Sequence, residues 1–280
     1  MSLTDRIIDL ATRPVPLRTL LLRRLLARWP IGSYRARLYA GAVDRAWYGW
    51  CLYHAAIEAR ALGHTAVTAV ELGVAGGNGL VCLLRHRKEI QRDLGIEIIV
   101  AGFDAGSGLP QTNDPRDLLY CWPAGSFGMD RSALERRLGG EAELIIGDVR
   151  TTLGAWSPRP DAPLGAVFFD LDLYTSTIGA FVLLEKANVL PRVWCYFDDI
   201  CGYAENATTA RIGEREAVWE FNLDPKREAL NDHLSVAYTF KGNFAEPWHQ
   251  HIYLYHRMGH PDYNRCLSTI DKHQLPLAAA

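Results

Sequence analysis

Two apolar runs that each end in carboxylates constrain this chain more than any other feature. The first lies in AVFFDLDLYTST at residues 166–177, where Val and Phe suit a buried strand. It closes on Asp170 and Asp172. Residues i and i+2 of a strand share a face, so both carboxylates are expected to leave one side of a central strand at its C-terminal end. Open α/β sheets place their ligands at that end. The second run, 193–197, closes on Asp198 and Asp199. Buried strands finished by acids are costly unless something cationic meets them.

The rest of the chain supplies a scaffold for such a cluster. Strands are expected at 68–72, 96–103, 143–146, 164–170 and 192–198. Helices alternate with them at 80–94, 129–138, 175–188 and 214–221, with Asp130 as an N-cap. Two further strands, near 234–240 and 251–255, read as a hairpin-like pair. This order predicts an α/β fold with a mainly parallel seven-stranded sheet, right-handed crossovers and an antiparallel edge strand. Residues 1–63 lack strand alternation and read as a helical extension to a domain spanning 64–280. Within the extension, 17–29 sets Leu20, Leu21, Leu22, Leu25 and Leu26 among Arg18, Arg23, Arg24 and Arg28. That basic helix suits either an anionic membrane surface or, preferably, packing on its own fold or on a sister subunit. A second helix is expected at 43–62. The 105–128 segment, with Pro110, Pro115 and Pro123, is long enough for a functional insertion.

Bulk properties exclude several classes. The 280 residues fit one large α/β domain or a domain with an appendage. A net charge of -2 gives no electrostatic footing for a nucleic-acid partner. No apolar run reaches membrane-spanning length. The six cysteines lack metal-like or redox spacing and read as reduced thiols of a cytoplasmic protein. The start, MSLTDRIIDL, is not signal-like, so the Asn206-Ala-Thr208 sequon is expected to be accidental.

The first strand runs into Glu71-Leu-Gly73-Val-Ala-Gly76-Gly77-Asn78-Gly79. Glycines at a strand-to-helix turn let backbone approach a ligand, and the next helix offers free N–H groups. A phosphate-cradling loop would need Gly-Lys-Ser/Thr where Gly79-Leu80-Val81 stands. A dinucleotide fingerprint would need a third glycine where Cys82 stands, and its acidic residue closer than Asp104, at about 20 residues. The third reading is S-adenosylmethionine (SAM), bound with Glu71 closing the first strand, Asp104 at the ribose after the second, and Asp148 beside the adenine.

Four stretches together resemble the macrocin O-methyltransferase-like enzymes, which methylate sugar hydroxyls in natural-product pathways. They are ELGVAGGNG at 71–79, Gly102-Phe-Asp104-Ala-Gly-Ser-Gly108-Leu109-Pro110, Asp170-Leu-Asp172-Leu173-Tyr174-Thr-Ser176-Thr177, and the Asp198-Asp199 pair with Glu214-Arg-Glu216-Ala217-Val218-Trp219-Glu220-Phe221 downstream. The likeness covers residues 66–222. It implies a Rossmann-like SAM-dependent methyltransferase, with cofactor contacts from Glu71, Gly73, Gly76, Gly77, Asn78, Asp104 and Asp148. It implies Mg²⁺ held by Asp170, Asp198 and Asp199, and Asp172 as general base. It further implies a small hydroxylated acceptor and a homo-oligomer with lid or oligomer contacts in the N-terminal region. Mg²⁺ takes oxygen ligands and keeps positions open for substrate, so a vicinal diol fits the same chemistry. Leu171 stands where the family often has Gly, Ala105 replaces a frequent Ser, and Val189-Leu-Pro191-Arg192 lacks a Gly-Gly.

Other polar groups carry weaker readings. His249, His251 and His256 alternate along an expected edge strand and read as a solvent-facing row. Cys195 reads as core. Trp122 and Phe127 suit a pocket wall and a loop anchor equally. A catechol-like diol methyltransferase, a nicotinamide-dependent oxidoreductase and a non-catalytic SAM-binding protein stand as alternatives.

Overall fold

The computed structural model describes residues 16–201, 207, 209–226, 228, 230–232 and 247–267. Among the described residues three helices come first: α1 (Leu17–Arg28), α2 (Tyr34–Tyr39) and α3 (Ala46–Ala61). Then follow β1 (Ala66–Leu72), α4 (Asn78–Leu94), β2 (Glu97–Asp104), α5 (Arg131–Leu138), β3 (Glu143–Ile146) and α6 (Val149–Ala155). The second half holds β4 (Leu164–Phe169), α7 (Tyr174–Ala180), β5 (Val189–Phe197), α8 (Gly213–Leu223), β6 (Leu230–Asp232) and β7 (Ile252–His256).

The strands form one sheet in the order β3-β2-β1-β4-β5-β7-β6. The first five are parallel, and β7 runs antiparallel to both β5 and β6. The antiparallel strand β7 therefore lies inside the sheet, and among the described residues β6 forms the edge. The strand expected at 234–240 falls outside the described residues.

Every residue of β1 is buried, as both-sided cover of a parallel sheet requires. Alternation sends Ala166 and Phe168 of β4 into one core with Trp194 and Tyr196 of β5 and with α3 and α4. Val167 and Phe169 go to the opposite core, with Cys195, Phe197, Phe181 and Phe221. Phe169 and Phe197 stack with ring centroids 4.5 Å apart directly below the acidic strand ends. Such a pair adds about 0.5–1.5 kcal/mol beyond its area burial and helps hold β4 in register with β5.

Several expectations shift. The helix after β4 ends at Ala180 and passes through a 3₁₀ turn, Phe181–Leu183, instead of reaching residue 188. Thr175, Thr177 and Ile178 are β-branched and Gly179 follows, which weakens a longer helix. The predicted histidine row does not exist: His249 and His251 sit in a 3₁₀ turn, Pro247–His251, and β7 is not an edge. His249 is buried, and the His251 ring Nδ1 lies 2.6 Å from the Phe197 carbonyl oxygen. Helix α1 buries none of its residues and meets its own fold through Arg23, whose Nε donates to the Ala40 carbonyl oxygen at 2.7 Å. Among the described residues no helix is long and apolar enough to cross a membrane.

Candidate active site

The C-terminal ends of β1, β2, β4 and β5 open into one cavity of 540 Å³. Glu71, Gly73, Gly76, Asn78, Asp104, Asp148, Asp170, Asp172, Asp198 and Asp199 all line it. Of the residues proposed from sequence, Gly77 alone does not. Its φ of 78° and the Leu134 side chain at its back give it a packing role at the start of α4.

The glycine turn and the acidic strand end touch. A Cβ on Gly73, at φ 84°, would lie 1.7 Å from the Asp170 carbonyl oxygen. Nothing lies within 4 Å of a Cβ built on Gly76, so that backbone faces open space. Glu71 is buried at the foot of the turn. Its Oε1 accepts from the Tyr48 hydroxyl at 2.9 Å, and its Oε2 is buried with no partner. Burial pushes its pKa up to about 8. Asp104 braces the turn, accepting from Val74 N–H at 2.9 Å, Ala75 N–H at 2.8 Å and Gly106 N–H at 2.6 Å. Asp148 accepts from Arg150 N–H and pairs with the Arg150 guanidinium, which holds its carboxyl below the usual range.

Register builds the acidic cluster. Phe169 pairs with Phe197 across the β4–β5 ladder, so Asp170 and Asp198 follow side by side. Backbone bonds continue past the strands: Asp170 N–H donates to Leu72 O and Asp198 N–H to Phe169 O, each at 2.9 Å. One carboxylate oxygen from each of Asp170, Asp198 and Asp199 comes within 4.8 Å of the others. Asp198 also accepts from the Tyr196 hydroxyl at 2.8 Å. Burial, then Asp198 and Asp199, drive the Asp170 carboxyl upward.

Asp172 arrives by a different route from the one alternation predicts. β4 stops at Phe169, and Asp172 has φ 59° in a tight turn closed by Leu173 N–H on Leu171 O at 2.5 Å. That turn, not strand period, returns its carboxyl to the cavity that Asp199 also lines. Burial, then Asp170, raises its pKa. Leu171 packs into the core that holds Val167, Phe169 and Phe197.

Four residues that sequence reasoning gave no role complete the site. Glu214, wholly buried on α8, accepts from Asp199 N–H at 2.9 Å and Leu171 N–H at 3.4 Å, tying both acidic turns together. Asp117, also fully buried, accepts from Thr175 N–H and Thr175 hydroxyl at 2.8 Å each and so caps α7 from the 105–128 insertion. Tyr48 and Arg45 reach in from α3 and its N-cap. The insertion closes at its neck, where Leu109 N–H meets Ser126 O at 2.8 Å and Gly125 N–H meets Leu109 O at 2.9 Å. Trp122 and Phe127, ring centroids 5.9 Å apart, form a wall of the cavity. Arg211 stacks on Trp219 instead of entering it.

Three carboxylates meeting above two strands could hold a cation, and the buried Asp199 Oδ2 without a partner offers it a further oxygen. Oxygen-only donors suit Mg²⁺. The glycine turn beside them leaves backbone exposed to a second ligand in the same cavity.

The fold is similar to that of the calicheamicin methyltransferase CalS11, with a TM-score of 0.52 and 18% identity, over 92% of this chain and 91% of that one. An apo structure of CalS11, described as a TDP-rhamnose 3'-O-methyltransferase of calicheamicin biosynthesis, gives 0.42 and 19% over 86% and 93%. An O-methyltransferase from Bacillus cereus in complex with SAH gives 0.42 and 16% over 75% and 89%. No family model and no curated protein matches the chain.

Proposed function

We propose that this chain is a SAM-dependent, Mg²⁺-dependent O-methyltransferase acting on a hydroxyl of a small molecule, with a sugar or glycosylated natural product as the acceptor class. The observation that carries this reading is the single cavity joining the glycine turn to the four-carboxylate cluster. The methyltransferase fold and the motif resemblance at 71–79 and 170–177 support it from two further sides.

SAM, when bound, supplies an electrophilic sulfonium methyl, and the turn around Gly73 and Gly76 with Asp104 would hold it. Mg²⁺, when bound between Asp170, Asp198 and Asp199, makes a hydroxyl more acidic. The chain's own part is positional. The β4–β5 register and Glu214 fix the acidic turns relative to each other. Gly73 in contact with Asp170 fixes the donor side to the acceptor side, the alignment on which transfer rates depend. Asp172, outside the metal-ligand set and buried at the cavity wall, takes the proton from the acceptor hydroxyl. Trp122 and Phe127 cover the acceptor side with apolar surface.

The test is calorimetry with SAM and with NAD, followed by Asp172→Asn. SAM binding with methyl transfer to a glycoside, lost in Asp172→Asn while SAM binding persists, is the expected result. NAD binding without SAM binding sinks the reading. Full turnover after exhaustive removal of divalent metal removes its Mg²⁺ part.

A further inference from the structure

Arg45 is a cation in this cavity with no task in the chemistry above. It precedes α3 as its N-cap, lines the cavity and is half-buried. Among the described residues no carboxylate lies within ion-pair distance of it. Arg37, Arg116, Arg150 and Arg192, by contrast, each hold an acid at 2.8 Å or less. Its backbone is in the left-handed region at φ 39°, a costly conformation for a side chain of this size that persists only where its surroundings impose it.

Its neighbours define what it faces. The guanidinium carbon sits 5.3 Å from the centre of the Tyr48 ring. The Tyr48 hydroxyl donates to Glu71 Oε1. Glu71 Oε2 is buried with no partner. One short string of residues thus ends in an unpaired cation at one end and a half-satisfied carboxyl at the other, both on the wall beside the glycine turn. A ligand group that answers both must carry an anion and a cationic donor close together. Of the two ligands proposed above, only the α-amino acid end of SAM has that pair.

Resting on the SAM reading, we propose that Arg45 binds the carboxylate of the methionyl end of SAM while Glu71 faces its ammonium. The helical segment before β1 then contributes directly to cofactor recognition: α3 presents Tyr48 from within the sheet's cover, and the strained N-cap turns Arg45 toward the ligand. A guanidinium suits this task because its fork matches a carboxylate bidentately, which a lysine cannot do.

The experiment compares SAM with decarboxylated SAM, which keeps the sulfonium, the adenosine and the amine but lacks the carboxylate. Calorimetry on the wild type should show SAM binding at least about tenfold tighter, the scale of a charge-assisted hydrogen bond. Arg45→Gln should weaken SAM by about 10- to 100-fold and leave decarboxylated SAM within about twofold. Arg45→Gly, which relaxes the backbone at φ 39°, should do the same, and it serves if the glutamine variant does not fold. Arg45→Lys should recover only part of the preference. Equal affinity of the wild type for both ligands, or equal losses for both in the variants, overturns the assignment of Arg45 and leaves the SAM reading standing. A wild type that binds neither ligand removes the SAM reading itself, and this inference with it.

Discussion

Gly73 has no side chain because the Asp170 carbonyl oxygen occupies the place where one would begin. A methyl group there must push the first turn away from the end of β4 and also hold φ 84°. We expect Gly73→Ala to cost about 3–5 kcal/mol, from overpacking plus a strained backbone. A urea midpoint equal to wild type would contradict the close approach. Glu214 acts at the same scale. Glu214→Ala leaves the buried N–H groups of Asp199 and Leu171 unpaired, at about 1–3 kcal/mol each. Divalent-ion affinity, measured by Mn²⁺ spin resonance, should fall with it. Unchanged affinity would mean that Glu214 does not set the geometry of the acidic turns. The residues legible in sequence are those whose signal is local: acids at strand ends, glycines at a turn. Tyr48 and Glu71, 23 positions apart, or Glu214 and Leu171, 43 apart, meet only through the packed sheet, and no spacing rule links them.

At the scale of elements, His86 on α4 fastens the helical segment to the sheet layer. Its Nε2 lies 2.9 Å from the Asp44 carbonyl oxygen and its Nδ1 2.8 Å from the Tyr34 hydroxyl. A carbonyl can only accept, so Nε2 donates and Nδ1 accepts from the tyrosine, which satisfies a neutral ring. Burial lowers its pKa to about 4. The folded state therefore holds this proton less readily than the unfolded chain does. Stability from His86 is complete above about pH 6.5 and drains away as pH falls toward 4, by about 3 kcal/mol. His86→Gln should flatten that part of a denaturation-versus-pH curve, and an unaltered slope would refute the account. Alternation of strand and helix revealed the centre of the sheet because β1, β4 and β5 are buried on both faces and read as apolar runs. It placed β7 within one residue but read the histidines as a row along an edge strand, because their spacing mimics strand alternation while His249 and His251 occupy a 3₁₀ turn. It overextended α7 because an apolar stretch reads alike as helix and as turn when both are buried.

For the whole molecule, glycine turn, acidic cluster and insertion share one cavity, so any ligand that fills it should stabilise the entire sheet end. S-adenosylhomocysteine at a hundred times its dissociation constant adds about 2.7 kcal/mol. For a domain of this size that is a rise in Tm of about 5–10 °C, and a melting curve without a shift would contradict cofactor binding. The insertion over that cavity leaves and re-enters the sheet layer through a neck closed by two backbone hydrogen bonds, which join Leu109 to Ser126 and to Gly125. Its two ends are already neighbours. Exchanging 110–124 for a segment twice as long would add only about 0.6 kcal/mol of closure entropy and would leave the acids and the glycine turn where they are. Asp117 is the constraint on such an exchange, since α7 takes its cap from it. On the proposed function, the sheet end would transfer the group and the insertion would choose its recipient, so trading one short stretch of chain should change what is modified while the transfer machinery stays in place.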